Sequence, residues 1–142
     1  MRFMILRKAD KKTEAGVMPS EQLLAEMGKY MEEMGKAGVL LSGEGLQPSS
    51  NGVRVKFSGG KPKVIDGPFI ETKELVAGYV MIRVKSKEEA ITWAKRWPAL
   101  DDDGNVSIEI RQVFEAEDFG PELTLELREK EECLRAQMEK TK

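Results

Sequence analysis

The amino-acid sequence predicts an α+β fold in which two helices cover one face of an antiparallel sheet. The chain has 142 residues, of which 40% are hydrophobic and 34% charged, enough apolar material for the core of one domain. Short segments with alternating apolar residues, typical of strands, separate two longer segments with helical periodicity. Once a hairpin is set aside, the order strand, helix, strand, strand, helix, strand is the ferredoxin-like βαββαβ arrangement.

The composition excludes several classes of function. The 23 lysines and arginines nearly balance the 25 aspartates and glutamates, so we expect no direct nucleic-acid partner and no membrane partner. The chain has no histidine, which excludes histidine-based triads and histidine zinc sites, and we predict neither a metal nor a cofactor. Cys133 cannot form an internal disulfide, and no signal peptide or membrane-spanning run is visible, so we expect a cytoplasmic protein.

The first half of the predicted fold begins with a strand over residues 2–9. Ser20 is a suitable N-cap, and apolar residues at helical spacing predict a helix from Glu21 to Ala37, which Gly38 ends. A short strand over residues 39–41 follows, and we expect the glycines after it to form a bend.

A hairpin is predicted next. Residues 53–57 and 63–65 alternate in polarity and flank the turn sequence Ser58-Gly-Gly-Lys61. Its outward side chains include four basic ones, Arg54, Lys56, Lys61 and Lys63. A basic hairpin can bind phosphate, but lysines that protect an exposed sheet edge are the better interpretation.

The second half contains the most apolar segment, Leu75–Val84, which we predict to be a central strand. Ser86 opens a capping box and a second helix, which ends before Pro98. The acidic turn over residues 101–105 lacks the bidentate glutamate of a calcium loop, so we expect a solvated turn before a last strand over residues 106–114.

A change of composition after Glu115 divides the chain into a predicted domain over residues 1–116 and a charged C-terminal helix within residues 117–142. We predict that this helix packs on the domain or on a partner subunit. Its narrow apolar seam consists of Leu123, Leu127, Leu134 and Met138.

The two faces of the predicted sheet differ in what can cover them. One face, with Val80, Ile82, Val84, Ile108 and Ile110, is expected to face the helices. The opposite face has an apolar centre formed by Met4, Leu6, Tyr79 and Met81. Because a solvated sheet face is rarely so apolar, we predict that a second copy covers it and that the protein is a homodimer.

Charged residues on the same face, Arg83, Glu109 and Arg111, would need partners once covered. One interpretation is a salt-bridge cluster that sets the register of the dimer. The other is a pocket, completed by Tyr79, in which arginine binds a small anionic or carbonyl molecule.

The string Asp66-Gly-Pro-Phe-Ile-Glu-Thr-Lys-Glu74 is the most distinctive in the chain. Asp-Gly-Pro is turn chemistry, which by itself explains a connection into the central strand. Carboxylates beside a buried strand are also candidates for acid–base catalysis, which makes Asp66 and Glu74 the catalytic candidates.

These residues carry a resemblance to a known family. Asp66-Gly-Pro-Phe69, followed by Glu71-Thr-Lys-Glu74 and Gly78-Tyr79, resembles the DGPF-motif branch of the YCII-related proteins. The resemblance implies a dimeric α+β barrel, and members of the branch often occur beside extracytoplasmic-function sigma factors. Relatives have a histidine–aspartate pair proposed for lyase or dehydrochlorinase chemistry. This chain has no histidine, and Trp97 stands where those relatives favour an aspartate before proline, so that mechanism does not transfer.

Three functions follow as hypotheses. The first is binding of a small molecule in a pocket by the sheet face. The second is a lyase or isomerase in which Asp66 or Glu74 takes a proton while Arg83 or Arg111 stabilises an oxyanion. The third is a non-catalytic regulatory partner of a sigma factor.

Overall fold

A computed structural model describes residues 1–141. The strands are β1 (Arg2–Lys8), β2 (Leu40–Gly45), β3 (Val53–Ser58), β4 (Lys61–Asp66), β5 (Val76–Arg83) and β6 (Ile108–Gln112). The helices are α1 (Lys11–Glu14), α2 (Glu21–Lys36), α3 (Lys87–Ala94) and α4 (Leu125–Lys140). Short 3₁₀ turns cover Ser49–Asn51, Thr72–Glu74, Asp101–Gly104 and Ala116–Asp118.

The main sheet has four antiparallel strands in the order β2-β5-β1-β6. Without the β3–β4 hairpin, the first strand therefore lies between the third and the fourth, as in a ferredoxin-like sheet. The predicted α+β fold is confirmed, and β5 is a central strand as the sequence indicated. The dimeric barrel stays a prediction.

The core lies between this sheet and the helices α2 and α3. Ile5 of β1, Ile82 of β5 and Met34 of α2 are fully buried at its centre. Ala90 of α3 is buried against the same cluster. The odd-numbered residues of β1 face this core, which is the side that strand alternation predicted.

Both core helices begin at serine caps. The hydroxyl of Ser20 accepts a hydrogen bond from the amide of Leu23, and α2 ends before Gly38, whose φ of +74° few other residues adopt readily. The hydroxyl of Ser86 accepts from the amide of Glu89, which starts α3. In the predicted capping box, the Glu89 carboxylate would accept a hydrogen bond from the amide of Ser86. In the structure it accepts instead from the amide of the preceding residue, Lys85.

The β3–β4 hairpin forms a separate two-stranded sheet. Its turn residues Gly59 and Gly60 both have positive φ, at 57° and 80°, as two-residue hairpin turns require. The glycines after residue 41 were expected in a bend, but Gly43 and Gly45 instead belong to β2, because both pair with β5.

The chain forms two compact units, Met1–Gln112 and the part from Val113 onward. In the second unit, the hydroxyl of Thr124 accepts from the amide of Leu127 and is the N-cap of α4. Ion pairs four residues apart lie along this helix, Lys130–Glu126 at 3.3 Å and Arg135–Glu131 at 2.8 Å. Within residues 1–141, no helix has both the length and the apolar character needed to cross a membrane.

Candidate functional site

A cavity of about 990 Å³ opens on the helix-facing side of the main sheet. Helix α2 forms one wall, strands β2 and β5 form the floor, and the turn after α3 forms the far end. Its apolar lining includes Leu23, Met27, Met31, Leu46, Val80 and Trp97. The cavity therefore presents mainly aliphatic, thioether and indole surface.

Glycine on the floor allows the wall to approach the sheet. A Cβ atom on Gly43 would lie 2.6 Å from the Cε of Met31 and 3.3 Å from the carbonyl oxygen of Tyr79. Because both neighbours occupy that space, a larger residue would require the Met31 methyl group to shift. Gly43 thus leaves room for that methyl group beside the cavity.

The polar end of the cavity is built on Arg7, the last core-facing residue of β1, which is only 8% exposed. Its Nε donates to Oδ2 of Asp101 at 3.1 Å, and its Nη2 donates to Oδ1 of Asp101 at 2.6 Å. Its Nη1 donates to the Lys8 carbonyl and to Oδ2 of Asp10, both at 2.9 Å. Arg7 is therefore held on three sides by its own chain.

Asp101 also fixes the indole ring that forms part of the cavity wall. The Nε1 of Trp97 donates to Oδ2 of Asp101 at 2.9 Å, and the ring of Tyr30 meets the Trp97 ring edge-on at 5.7 Å. The turn at residues 101–105 was expected to be solvated, and for Asp101 this is wrong. Asp101 is 6% exposed because its two oxygens accept from Arg7 and Trp97.

Hydrogen bonds favour the charged forms of Arg7, Asp10 and Lys12. Burial acts to lower the pKa of Arg7, but hydrogen bonds and charges from Asp101 and Asp10 outweigh it and raise the pKa. Burial acts to raise the pKa of Asp10, but hydrogen bonds from the Thr13 amide and from Arg7 outweigh it and lower the pKa. A hydrogen bond to Asp103 likewise raises the pKa of Lys12 at the rim.

Tyr30, next to the indole, is a neutral donor. Burial raises the pKa of Tyr30 to about 12, and its hydroxyl donates to the carbonyl of Trp93 at 2.7 Å. Tyr30 therefore supports Trp97 and carries no charge near neutral pH.

The Asp-Gly-Pro segment is fastened to the turn that follows β2. A Cβ atom on Gly67 would overlap the carbonyl oxygen of Ser49, so only glycine fits there. The hydroxyl of Ser49 accepts from the amide of Phe69 at 3.0 Å and donates to Oε2 of Glu14 at 2.5 Å. The guanidinium of Arg54 lies 3.9 Å from the centre of the Phe69 ring. The segment thus joins the hairpin to α1.

The two carboxylates predicted as catalytic candidates stand apart from the cavity. Asp66 ends β4 and Glu74 lies in the 3₁₀ turn before β5, and both are exposed. Neither residue lines the 990 Å³ cavity or a smaller one of about 470 Å³.

The predicted ligand-binding residues share the sheet face that contains Met4 and Met81, away from the core helices. Tyr79 borders the large cavity where its carbonyl oxygen lies beside Gly43, and it pairs with Leu6 on the other face. Arg111 and Glu109 form an ion pair at 3.4 Å on that other face, and Glu109 lines the smaller cavity. Arg83 is exposed at the end of β5. The structure brings Glu109 and Arg111 together, but not with Asp66 or Glu74.

The apolar centre predicted for the free sheet face is present. Met4 lies opposite Met81 and Leu6 lies opposite Tyr79 across the β1–β5 ladder. All four side chains are half-buried within this chain.

Sequence reasoning missed Arg7 and Asp101, and one signal was available. Arg7 continues the series Phe3, Ile5 on the core-facing side of β1, and a charged residue at such a position needs a buried partner. No group of three or more potential metal ligands occurs among residues 1–141.

Comparisons with known proteins identify the family. The YCII-related domain matches residues 1–117. An uncharacterized protein of Rhizobium meliloti (strain 1021) is 31% identical over 75 residues, 53% of this chain, and the chain spans 60% of the length of that relative. A solved structure of 5-chloro-2-hydroxyhydroquinone dehydrochlorinase from Burkholderia phenoliruptrix, in complex with 2,5-dihydroxybenzoquinone, is similar with a TM-score of 0.45 and 12% identity over 84% of this chain and 100% of that one. The match over residues 1–117 covers most of the sequence, and the chain belongs to the YCII-related family.

Proposed function

We propose that this protein binds a small, mainly apolar molecule in the helix-side cavity. The observation that carries the proposal is the cavity itself, whose volume of about 990 Å³ lies at the upper end of the range of small-molecule pockets. Its lining joins an apolar wall to a few polar groups at one end, which is the usual composition of such sites.

The wall is arranged before any ligand arrives. Asp101 and Tyr30 hold the indole of Trp97, and Arg7 holds Asp101. A site whose side chains are already fixed loses less conformational entropy on binding, so this network favours affinity.

The lyase or isomerase alternative needs a proton-accepting carboxylate beside the bound molecule. Asp66 and Glu74 lie outside the cavity, so the geometry favours binding over catalysis by these residues. The sigma-factor alternative stays a prediction of the family resemblance. The assignment to the DGPF-motif branch is likewise our proposal, supported by Asp66-Gly-Pro-Phe69 and by the packing of Gly67.

We also propose a homodimer in which a second copy covers the free sheet face. The apolar pairs Met4–Met81 and Leu6–Tyr79 support it, because an apolar sheet centre that the chain itself only half buries is a common mark of an interface. Sedimentation equilibrium at micromolar concentration should give twice the chain mass, and Met81→Asp should give the chain mass with an unchanged circular dichroism spectrum. A monomeric parent protein would refute the dimer.

Methionine methyl groups provide a direct test of where a ligand binds. The chain has eight methionines, and Met27 and Met31 line the cavity while Met4 and Met81 lie on the free sheet face. Phenethylamine, phenethyl alcohol and phenylacetate serve as aromatic probes, each titrated into protein carrying ¹³C-labelled methionine methyl groups.

Binding in the helix-side cavity should shift the Met27 and Met31 signals and leave those of Met4 and Met81 in place. Shifts confined to Met4 and Met81 would instead support the pocket first predicted at the sheet face. If none of the three probes moves the Met27 and Met31 signals, the proposed function is wrong.

A further inference from the structure

The charges around the helix-side cavity are strongly unbalanced. Among the described residues that line it, six are acidic and two are basic. The basic residues are Arg7 and Lys12, and the acidic residues are Asp10, Glu14, Glu44, Asp101, Asp102 and Asp103. The cavity therefore differs from the chain as a whole, whose net charge is only −2.

Both cations are already engaged by carboxylates of the same chain. Arg7 makes four hydrogen bonds, to Asp101, Asp10 and the Lys8 carbonyl, and is buried beneath them. The Nζ of Lys12 lies 3.3 Å from Asp103 and 3.8 Å from Asp102. An anionic ligand would have to displace one of these carboxylates before it met a free positive charge.

At the rim, Asp103 is more accessible than either cation of the cavity. Its side chain is 81% exposed, whereas those of Lys12 and Arg7 are 60% and 10% exposed. Because a concave, low-dielectric surface focuses the field of the charges that line it, the excess of carboxylates creates a negative potential at the cavity mouth.

We propose that the helix-side cavity selects an apolar molecule that carries a positive charge, such as an arylalkyl amine, over a carboxylate of the same shape. The apolar body would lie against Met27, Met31 and Trp97, with the ammonium toward the carboxylates at the polar end. This proposal rests on the proposed function and replaces the anionic or carbonyl ligand that the sequence suggested for the sheet face.

The test is the affinity of the three probes, read at the Met27 and Met31 methyl signals. Phenethylamine should bind at least about tenfold more tightly than phenylacetate, with phenethyl alcohol between them. Added sodium chloride should weaken phenethylamine binding and leave phenethyl alcohol unaffected, because salt screens only the charged probe. If phenylacetate binds as tightly as phenethylamine, the charge preference is wrong, but the proposed binding function is still supported. No binding by any probe would instead refute the function.

Variants that change the charge at the rim test whether the carboxylates there strengthen the binding of phenethylamine. Asp103→Asn removes a negative charge and releases Lys12, so phenethylamine should bind about threefold more weakly. Lys12→Gln should act in the opposite sense and strengthen phenethylamine binding. Glu88 is an exposed carboxylate on α3 outside the cavity, so Glu88→Gln is the matched control. It should leave the affinity for phenethylamine unchanged. Equal effects of the rim and control variants would contradict the proposal.

Discussion

Arg7 and Asp101 form a two-point ion pair across 94 positions of sequence, with Nη2 of Arg7 at 2.6 Å and Nε at 3.1 Å from the two carboxylate oxygens. Both side chains are about nine-tenths buried. The pair joins the end of β1 to the turn after α3, and through Trp97 it also positions one wall of the candidate cavity. The same two residues thus support the fold and shape the site.

Neutralising Asp101 should leave Arg7 as a buried cation with one partner fewer. We expect Asp101→Asn to lower the free energy of unfolding by about 3 kcal/mol, because removing one partner of a buried pair leaves an uncompensated charge. Urea unfolding followed by circular dichroism measures the change. The exposed neighbour Asp103 is the control, since asparagine tolerates its positive φ, and Asp103→Asn should leave stability nearly unchanged. Equal losses for both variants would contradict the buried role of Asp101.

Asp10 should make the stability of the fold depend on pH. Its pKa is lowered in the folded chain, so its carboxylate stabilises the fold above the unfolded-state pKa of about 4. That contribution is lost as the pH falls through the lower folded-state pKa. The difference in Tm between the parent protein and Asp10→Asn should therefore be largest near neutral pH and shrink between about pH 5 and pH 2. A difference that stays constant over this range would contradict a lowered pKa for Asp10 in the folded chain.

Gly67 and Gly28 should respond to the same substitution in opposite directions. Gly67→Ala places a methyl group on the Ser49 carbonyl oxygen and should cost about 2 kcal/mol, the usual scale of overpacking. Gly28 lies within α2 with nothing within 4 Å of an added Cβ, so Gly28→Ala should stabilise the protein by about 1 kcal/mol through helix propensity. Thermal and urea unfolding of both variants check this. A stable Gly67→Ala variant would mean that the Asp-Gly-Pro segment can move away from Ser49.

Asp66→Asn separates a turn residue from a catalytic one. Asp66 is exposed and lies outside both cavities, so the substitution should change stability by less than about 0.5 kcal/mol and leave probe binding at Met27 and Met31 unchanged. Loss of probe binding with an unchanged Tm would show instead that Asp66 is a charge partner in the binding site.

The sequence alone determined the fold class and most of the strands and helices, because these depend on local signals and on the order of the elements along the chain. Alternation in β1 and β5, the serine caps at Ser20 and Ser86, and the Gly59–Gly60 turn are each set by residues within a few positions of one another. The same alternation identified the apolar sheet face that contains Met4 and Met81.

Only the tertiary structure located the cavity and its charged end. Arg7 and Asp101 meet because β1 and the turn after α3 lie close together in the fold. The sequence around either residue does not predict the other as its partner. Alternation put Arg7 on the core side, but which carboxylate compensates its charge depends on how the chain folds back over 94 residues. Patterns along the chain report which side of an element is buried, whereas the partner of a buried charge is decided by packing between elements distant in sequence.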